Sequence, residues 1–316
     1  MTEFELIEAF TRAAPRGGAG VLLGIGDDAA LLRPPRGLDL AVTVDAVVEG
    51  VHFGAGFSPE DVGWKALAVN LSDLAAMGAR PLWALCALAV PRGADPRRLV
   101  RAGRGLAACA RRFGVALAGG NVSRAAELSL TVTAVGSVAP GRALRRSGAR
   151  PGDRLLVSGS LGGAALGLHP RAPASALRRQ RRPEPRVALG RALAGVASAC
   201  IDLSDGLIQD LGHLAHASGV GAVVRAGSLP LHPALRRLAA LDPRLGELAL
   251  AGGEDYELLA AVPPGRVPRA LAAAARLRVP LREVGEVVRG RGVRALGPGG
   301  RPLRLLRAGH DHLRGS

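Results

Sequence analysis

The chain has 316 residues, 48% of them hydrophobic, enough for roughly two domains with real cores. Its formal charge of +16 would suggest a nucleic-acid partner, but Lys65 is the only lysine among 42 Lys+Arg, the arginines scatter, and aromatic residues are only 3%. This reads as a compositional bias without stacking platforms for bases, so no specific nucleic-acid role is expected. Cys86, Cys109 and Cys200 lack the spacing of a disulfide framework or zinc knuckle, and no uncharged run approaches the ~20 residues of a membrane span. The acidic start, Met1-Thr-Glu-Phe-Glu, has no signal-like apolar core, and a cytoplasmic protein is expected.

Thr2 and Glu5 have the spacing of a capping box for a first helix to about Arg12. A Gly-rich turn follows before Val21, which leaves Gly24-Ile-Gly-Asp27-Asp28-Ala-Ala on a loop. Leu40 to Val44 reads as a strand ending at Asp45, and Ser58-Pro59 with Asp61 opens a long helix that stops at Gly78. On that helix Asn70, Asp73 and Met77 share a face by their three- and four-residue spacing. Leu82 to Val90 reads as a buried strand, Asp95-Pro96 starts a helix ending before Gly114, and Val115 to Ala118 and Leu128 to Val138 read as further strands. Between the last two, Gly119-Gly-Asn121-Val-Ser-Arg124 reads as a tight turn with polar groups at its tip. The Gly/Pro/Arg-rich stretch Pro140 to Gly152 reads as an interdomain connection, giving an amino-terminal domain at 1–138 and a carboxy-terminal domain at 150–316. Residues 170 to 186, with Arg and Pro interleaved, read as a solvated loop of little functional interest. Asp202 to Asp205 precede a helix to about Ser218, Gly252 to Asp255 precede a strand from Glu257 to Val262, and strands follow near 281 to 288.

The acidic residues gather in glycine-punctuated phrases: the Asp27-Asp28 loop, Thr43-Val-Asp45, Asn70-Leu-Ser-Asp73, Asp202-Leu-Ser-Asp205-Gly and Gly252-Gly-Glu254-Asp255-Tyr256. Two like charges about 4 Å apart cost on the order of 4 kcal/mol at an effective dielectric near 20, so carboxylates that folding brings together need a counter-ion, and a hard divalent cation serves well. The pattern reads as a polymetal, phosphate-handling site. There is no Walker A motif, and Lys65 sits in Trp-Lys-Ala-Leu-Ala-Val-Asn rather than on a kinase-like strand. Phosphate would then be held by metal, backbone amides and arginine, which suits phosphoryl transfer. Plainer roles exist for each residue: Asp73 as a solvated helix residue, Asp202 and Asp205 as helix caps, Asp28 as a loop cap, and His52 as a hydrogen-bonded core histidine. Glu254 stands beside glycines that permit close ligand approach. His213 and His216, three apart on a predicted helix, lack an evident third ligand, and Gly159-Ser-Leu-Gly162-Gly163 reads as readily as a strand-to-helix turn as a phosphate cradle.

Asn70-Leu-Ser-Asp-Leu-Ala-Ala-Met-Gly78 and Gly252-Gly-Glu-Asp-Tyr-Glu-Leu258, with the other acidic phrases and a Gly309-His-Asp-His312 tail, resemble the thiamine-monophosphate kinases. Their superfamily also holds aminoimidazole ribonucleotide synthetase, formylglycinamidine ribonucleotide synthetase, selenophosphate synthetase and a hydrogenase maturation protein. The resemblance spans nearly the whole length. It implies a two-domain α/β (α+β) protein whose amino-terminal domain pairs with its copy in a homodimer around a β-barrel-like core, with a carboxy-terminal α/β sandwich completing the active site. The implied reaction is ATP-dependent phosphorylation of thiamine monophosphate to thiamine diphosphate by direct in-line transfer, with several Mg²⁺ ions. Position by position, the resemblance gives magnesium roles to Asp27, Thr43, Asp45, Asp73, Asp202 and Asp205, and catalytic importance to Asp27, Asp45, Asp73 and Asp205. It gives ATP contacts to Gly120, Asn121, Arg146 and Ser204, and contacts to thiamine phosphate to His52, Glu254 and the tail position Leu313. The acceptor is already an anion, so no strong general base is required. The alternatives are another ATP-dependent synthetase of the superfamily and a nucleotide- and metal-binding homologue whose turnover has decayed.

The chain departs from the family pattern at three points. Gly119-Gly120-Asn121 stands where the family usually has Gly-Gly-Asp, replacing a charged ligand by a neutral carbonyl. Leu313 stands where an aromatic residue usually follows the Asp-His of the tail, a change that bears on substrate affinity more than on chemistry. Val44 replaces a hydroxyl residue beside Asp45.

Overall fold

The computed structural model describes residues 2–303 apart from 19 and 171, so Gly309–His312 and Leu313 lie outside the described residues. The chain forms two compact units, one of the residues up to 74 with 79–141 and one of 75–78 with the described residues from 142 onward. Both mix helix and strand.

In the first unit, α1 (Glu3–Thr11) begins with the reciprocal cap that its spacing predicts: the Thr2 hydroxyl accepts the Glu5 amide, and the Glu5 carboxylate accepts the Thr2 amide. β1 (Val21–Leu23) and β2 (Leu31–Leu32) pair antiparallel and carry the Asp27-Asp28 loop between them. There follow β3 (Asp39–Val48), α2 (Pro59–Ala76), β4 (Arg80–Pro91), α3 (Pro96–Phe113), β5 (Ala116–Ala125) and β6 (Ser129–Val138). The last four strands make an open sheet ordered β3-β6-β4-β5, in which only β4 and β5 run parallel, joined through α3. α3 starts at the Asp95 cap and stops at left-handed Gly114.

Two local expectations are corrected. Asp45 lies inside a ten-residue strand, not at its end, because β3 pairs with β6 in unbroken register from Asp39 to Val48. Gly119 to Arg124 form no turn; they pair in parallel with Leu85 to Val90 as part of β5. Glycine serves close approach here, since a Cβ on Gly120 would stand 2.1 Å from the Cys86 carbonyl oxygen. A single chain's sheet has β3 and β5 as its edges, and no closed barrel occurs among the described residues. β6 is interior and largely buried; the exposed apolar row lies on β3, where Leu40, Val42 and Val44 are 45%, 63% and 59% exposed.

The second unit comprises β7 (Arg154–Ser158), α4 (Gly163–Leu166), α5 (Ala174–Arg181), α6 (Val187–Leu193), β8 (Ala199–Asp202), α7 (Leu207–Ser218), β9 (Gly221–Arg225), α8 (Pro233–Ala239), α9 (Leu248–Ala251), β10 (Leu258–Val262), α10 (Val267–Arg276), β11 (Leu281–Val288) and β12 (Gly292–Leu296). Its six strands are ordered β12-β9-β11-β7-β10-β8, antiparallel except for β12 and β9. On α7, Leu207, Leu211 and Leu214 recur at helical spacing and bury one face in a core shared with Leu155, Val157 and Leu259 of the sheet. Each such leucine contributes about 1.5–3 kcal/mol of apolar burial, which anchors the start of α7 immediately after Asp205. Among the described residues no helix is long and apolar enough to cross a membrane.

Candidate functional site

In the first unit a cavity of about 540 Å³ opens between α1, the 24–30 loop, β4 and β5. Its walls include Phe10, Leu88 and Leu117, and its polar lining brings together Asp27, Asp28, Gly120 and Asn121. Size and an apolar wall with a few polar groups suit a nucleotide-sized ligand. Gly26, with φ of 123°, makes the bend that presents the two aspartates, and the Asp27 carboxylate accepts the Asp28 amide at 2.8 Å. Burial pushes the Cys86 thiol up to about 12, so this lining residue is no nucleophile near neutral pH.

Thr43, Asp45 and Asp73 stand apart from that cavity's lining. The Thr43 hydroxyl donates to Asp73 Oδ2 at 2.6 Å, tying β3 to α2, and Asp45, two residues on, shares the Thr43 face of the strand. On the same helix, Asn70 is fully buried; its Nδ2 donates to the Ala66 carbonyl at 3.0 Å, while its buried Oδ1 has no hydrogen-bond partner among the described residues. His52 sits between β3 and α2, and its Nδ1 accepts the Val48 amide at 3.1 Å.

In the second unit the Asp202–Asp205 phrase and the Gly252–Tyr256 phrase are stitched into one loop pair. The Glu254 amide donates to the Ser204 carbonyl and the Tyr256 amide to the Leu203 carbonyl, both at 2.8 Å. Gly253 permits the approach, since a Cβ there would stand 2.5 Å from the Ser204 carbonyl oxygen. Glu254 and Tyr256 hold positive φ of 68° and 50°, a conformation costing on the order of 1–3 kcal/mol each that these bonds sustain. Asp202, Ser204, Asp205 and Glu254 are thus brought together. Arg146 is exposed, with its backbone fixed by Ser218, whose hydroxyl donates to the Arg146 carbonyl at 3.0 Å and accepts the Ala149 amide at 3.1 Å.

Sequence reasoning missed the residues that brace this loop pair. Asp210, buried on α7, accepts the Asp205 and Gly206 amides, each at 3.1 Å; burial, then the charges of Asp205 and Asp202, push its carboxyl up to about 8. Its signal was an aspartate in the first turn of a predicted helix. His213 completes a trio with Asp205 and Asp210, with ligand atoms within 4.8 Å of one another, so the histidine does have carboxylate neighbours, unlike the expectation from sequence. Asp255 accepts the Gly162 amide at 2.6 Å and the Ala164 amide at 3.2 Å. Those two amides are therefore taken, and the Gly159–Gly163 stretch links β7 to α4 as a strand-to-helix turn. Glu257 is fully buried and accepts from Ser158 at 2.6 Å, from Arg186 at 2.7 and 2.6 Å, and from Arg179. The solvated-loop reading of residues 170 to 186 is corrected accordingly: it contains α5, and two of its arginines reach a buried carboxylate.

Every residue assigned a metal role offers oxygen, from Asp27, Thr43, Asp45 and Asp73 in one unit and Asp202 and Asp205 in the other. All three cysteines are buried. This donor set fits a hard cation such as Mg²⁺ better than a thiophilic metal.

These two domains define the class. Residues 26–138 match the N-terminal domain of AIR synthase related proteins, and residues 150–297 match their C-terminal domain. Within that class the chain belongs to the thiamine-monophosphate kinase family. It is 42% identical over 295 residues to the thiamine-monophosphate kinase of Salmonella typhimurium (strain LT2), covering 90% of each chain. Among solved structures, the thiamine-monophosphate kinase of Stenotrophomonas maltophilia K279a superposes with a TM-score of 0.85 at 42% identity, covering 96% of this chain and 98% of that one. AaThiL complexed with AMPPCP and TMP superposes with a TM-score of 0.76 at 31% identity, covering 98% and 96%.

Proposed function

We propose that this protein transfers the terminal phosphoryl group of ATP to thiamine monophosphate, giving ADP and thiamine diphosphate. The observation that carries this is the 42% identity to a thiamine-monophosphate kinase over 90% of both chains. The ATP analogue and TMP named in the AaThiL complex support the same pair of substrates here. In this reading the cavity beside Gly120 and Asn121 takes part of the nucleotide, with Arg146 and Ser204 as further ATP contacts. Asp27, Thr43, Asp45, Asp73, Asp202 and Asp205 hold Mg²⁺, which when bound screens phosphate charge. His52 and Glu254 orient the acceptor phosphate; Leu313, the third position assigned to it, lies outside the described residues. Since the acceptor is itself a phosphate anion, the side chains need only position it and exclude water.

The protein acts as a cytoplasmic homodimer in this reading, with domains at 1–138 and 150–316. The exposed row of Leu40, Val42 and Val44 on an edge strand favours pairing, since a second copy would cover it and extend the open sheet toward a barrel. Light scattering that finds only monomer throughout the micromolar range would remove this part of the proposal. The reaction is tested by coupled ADP release with Mg²⁺ and ATP. Release that depends on thiamine monophosphate is expected. Release driven by an amide substrate instead would favour a sibling synthetase, and ATP binding without release would favour a decayed enzyme.

A further inference from the structure

All but one of the 42 basic residues are arginine, and the exception, Lys65, is fully buried on α2. Its Nζ donates to the His52 carbonyl at 3.0 Å and lies 5.4 Å from the centroid of the Phe57 ring. Both contacts fall on the segment that joins β3 to α2. That segment is also tied to itself: the His52 amide donates to the Val48 carbonyl at 2.9 Å, the Gly50 amide to the Phe53 carbonyl at 2.8 Å, and the Val48 amide to His52 Nδ1 at 3.1 Å. With Nδ1 as acceptor, the proton of the neutral imidazole sits on Nε2.

Burying an ammonium carries a large desolvation cost unless it is partnered, and an arginine stem would bring a wider planar fork with five donors into the same space. Everywhere else in this chain arginine serves as the basic residue. At this one position the compact ammonium is kept, under the backbone of a residue that the proposed function places against the acceptor.

We infer that Lys65 is a positioning residue for the acceptor: it locks the 49–57 segment from inside so that His52 presents its Nε2–H to the phosphate of thiamine monophosphate, and arginine cannot replace it. The inference rests on the proposed contact between His52 and the acceptor. Lys65→Arg, Lys65→Met and His52→Gln separate the two ideas through the KM of each substrate, kcat and the thermal midpoint. Both Lys65 variants, like His52→Gln, should raise the KM for thiamine monophosphate about tenfold, while the KM for ATP stays within about twofold. If His52→Gln leaves the acceptor KM unchanged, the His52 contact itself is wrong. If His52→Gln raises it and the Lys65 variants do not, the role of Lys65 is overturned; both KM values rising together with a collapsed thermal midpoint overturn it too, as a plain core residue. Should the Lys65 variants not fold, the unsubstituted protein decides, because ¹⁵N-lysine labelling gives a single side-chain ammonium signal. That signal should shift on addition of thiamine monophosphate and stay in place with AMPPCP alone; an unmoved signal overturns the inference.

Discussion

The two units hold their acidic residues in opposite ways. In the second, Asp202, Asp210, Asp255 and Glu257 are only 4%, 2%, 7% and 0% exposed, and the last three accept amides, hydroxyls or guanidinium groups from their own unit. In the first, Asp27, Asp28 and Asp45 are exposed and Asp73 is half-buried against Thr43. The second unit fixes Asp210, Asp255 and Glu257 through internal bonds before any ligand arrives, whereas the first presents Asp27, Asp28 and Asp45 on an exposed loop and strand and ties Asp73 to the Thr43 hydroxyl. The difference implies that similar substitutions will register as stability in one unit and as turnover in the other.

The largest effect is expected at Glu257. Burial alone would raise its carboxyl, but Arg186, Arg179 and the Ser158 hydroxyl outweigh this and hold it at about 2. A carboxyl depressed in this way contributes stability above the ordinary value near 4.5, and loses it as pH falls through about 2. Glu257→Gln leaves two largely buried guanidinium groups without their counter-charge and should cost about 3–5 kcal/mol, read by urea unfolding with circular dichroism. A change below about 1 kcal/mol would show that solvent already screens the cluster.

Asp255, two residues away, carries the opposite sign. Burial pushes its carboxyl up to about 7 despite the two amides it accepts, so the folded protein holds this proton more tightly than the unfolded chain, whose value is near 3.8. Its contribution therefore falls as pH rises from about 4 to about 7, then levels off. Asp255→Asn should flatten that slope, with a difference from the unsubstituted protein of at most about 4 kcal/mol between pH 4 and pH 7.5. Parallel stability profiles for the two proteins would mean that Asp255 titrates as an ordinary carboxylate.

What the sequence disclosed follows the range of the signals. The Thr2/Glu5 box, the Asp95 start and the Gly114 stop are local chemistry, and they mark α1 and α3 to within a residue. Gly119 to Arg124 carry turn-like residues for a non-local reason, the approach of Gly120 to the Cys86 carbonyl on β4, and so they mislead. Arg179 and Arg186 lie 78 and 71 residues from Glu257, and no spacing rule connects them. The glycine-punctuated acidic phrases are legible in the sequence as a group. Which of their carboxylates accept bonds from the protein's own loops is not, since Asp255 and Glu254 are neighbours with different partners.

In the first unit Asp73→Asn should lower kcat/KM for ADP release at least about a hundredfold, close to 2.7 kcal/mol of transition-state stabilisation, because it removes a charge without removing volume. Its stability should move by less than about 1 kcal/mol, since an amide oxygen can still accept the Thr43 hydroxyl. Near-normal turnover would remove Asp73 from the site, and a large loss of stability would make it a brace like those of the second unit.

The smallest effect is expected at Asn121, where the comparison can be sharpened within one strand. The structure places this residue on β5, exposed and lining the same cavity as Asp27, so its amide does not serve a turn. The close approach of Gly120 to Cys86 fixes the strand at that point, and the side chain at 121 sets the charge offered to the cavity without altering the backbone. An amide presents a dipole where Asp27 presents a full charge. Asn121→Asp should therefore lower the Mg²⁺ concentration needed for half-maximal ADP release on the order of threefold, with turnover at saturating Mg²⁺ within about twofold. Without Mg²⁺ the added carboxylate should slightly destabilise the protein, because like charges on an exposed face repel by a few tenths of a kcal/mol up to about 1. Superimposable magnesium titrations would place residue 121 beyond the cation's reach. A protein inactive at every Mg²⁺ level, whose activity appears only in Asn121→Asp, would mean that one missing charge on β5 had silenced an otherwise intact kinase.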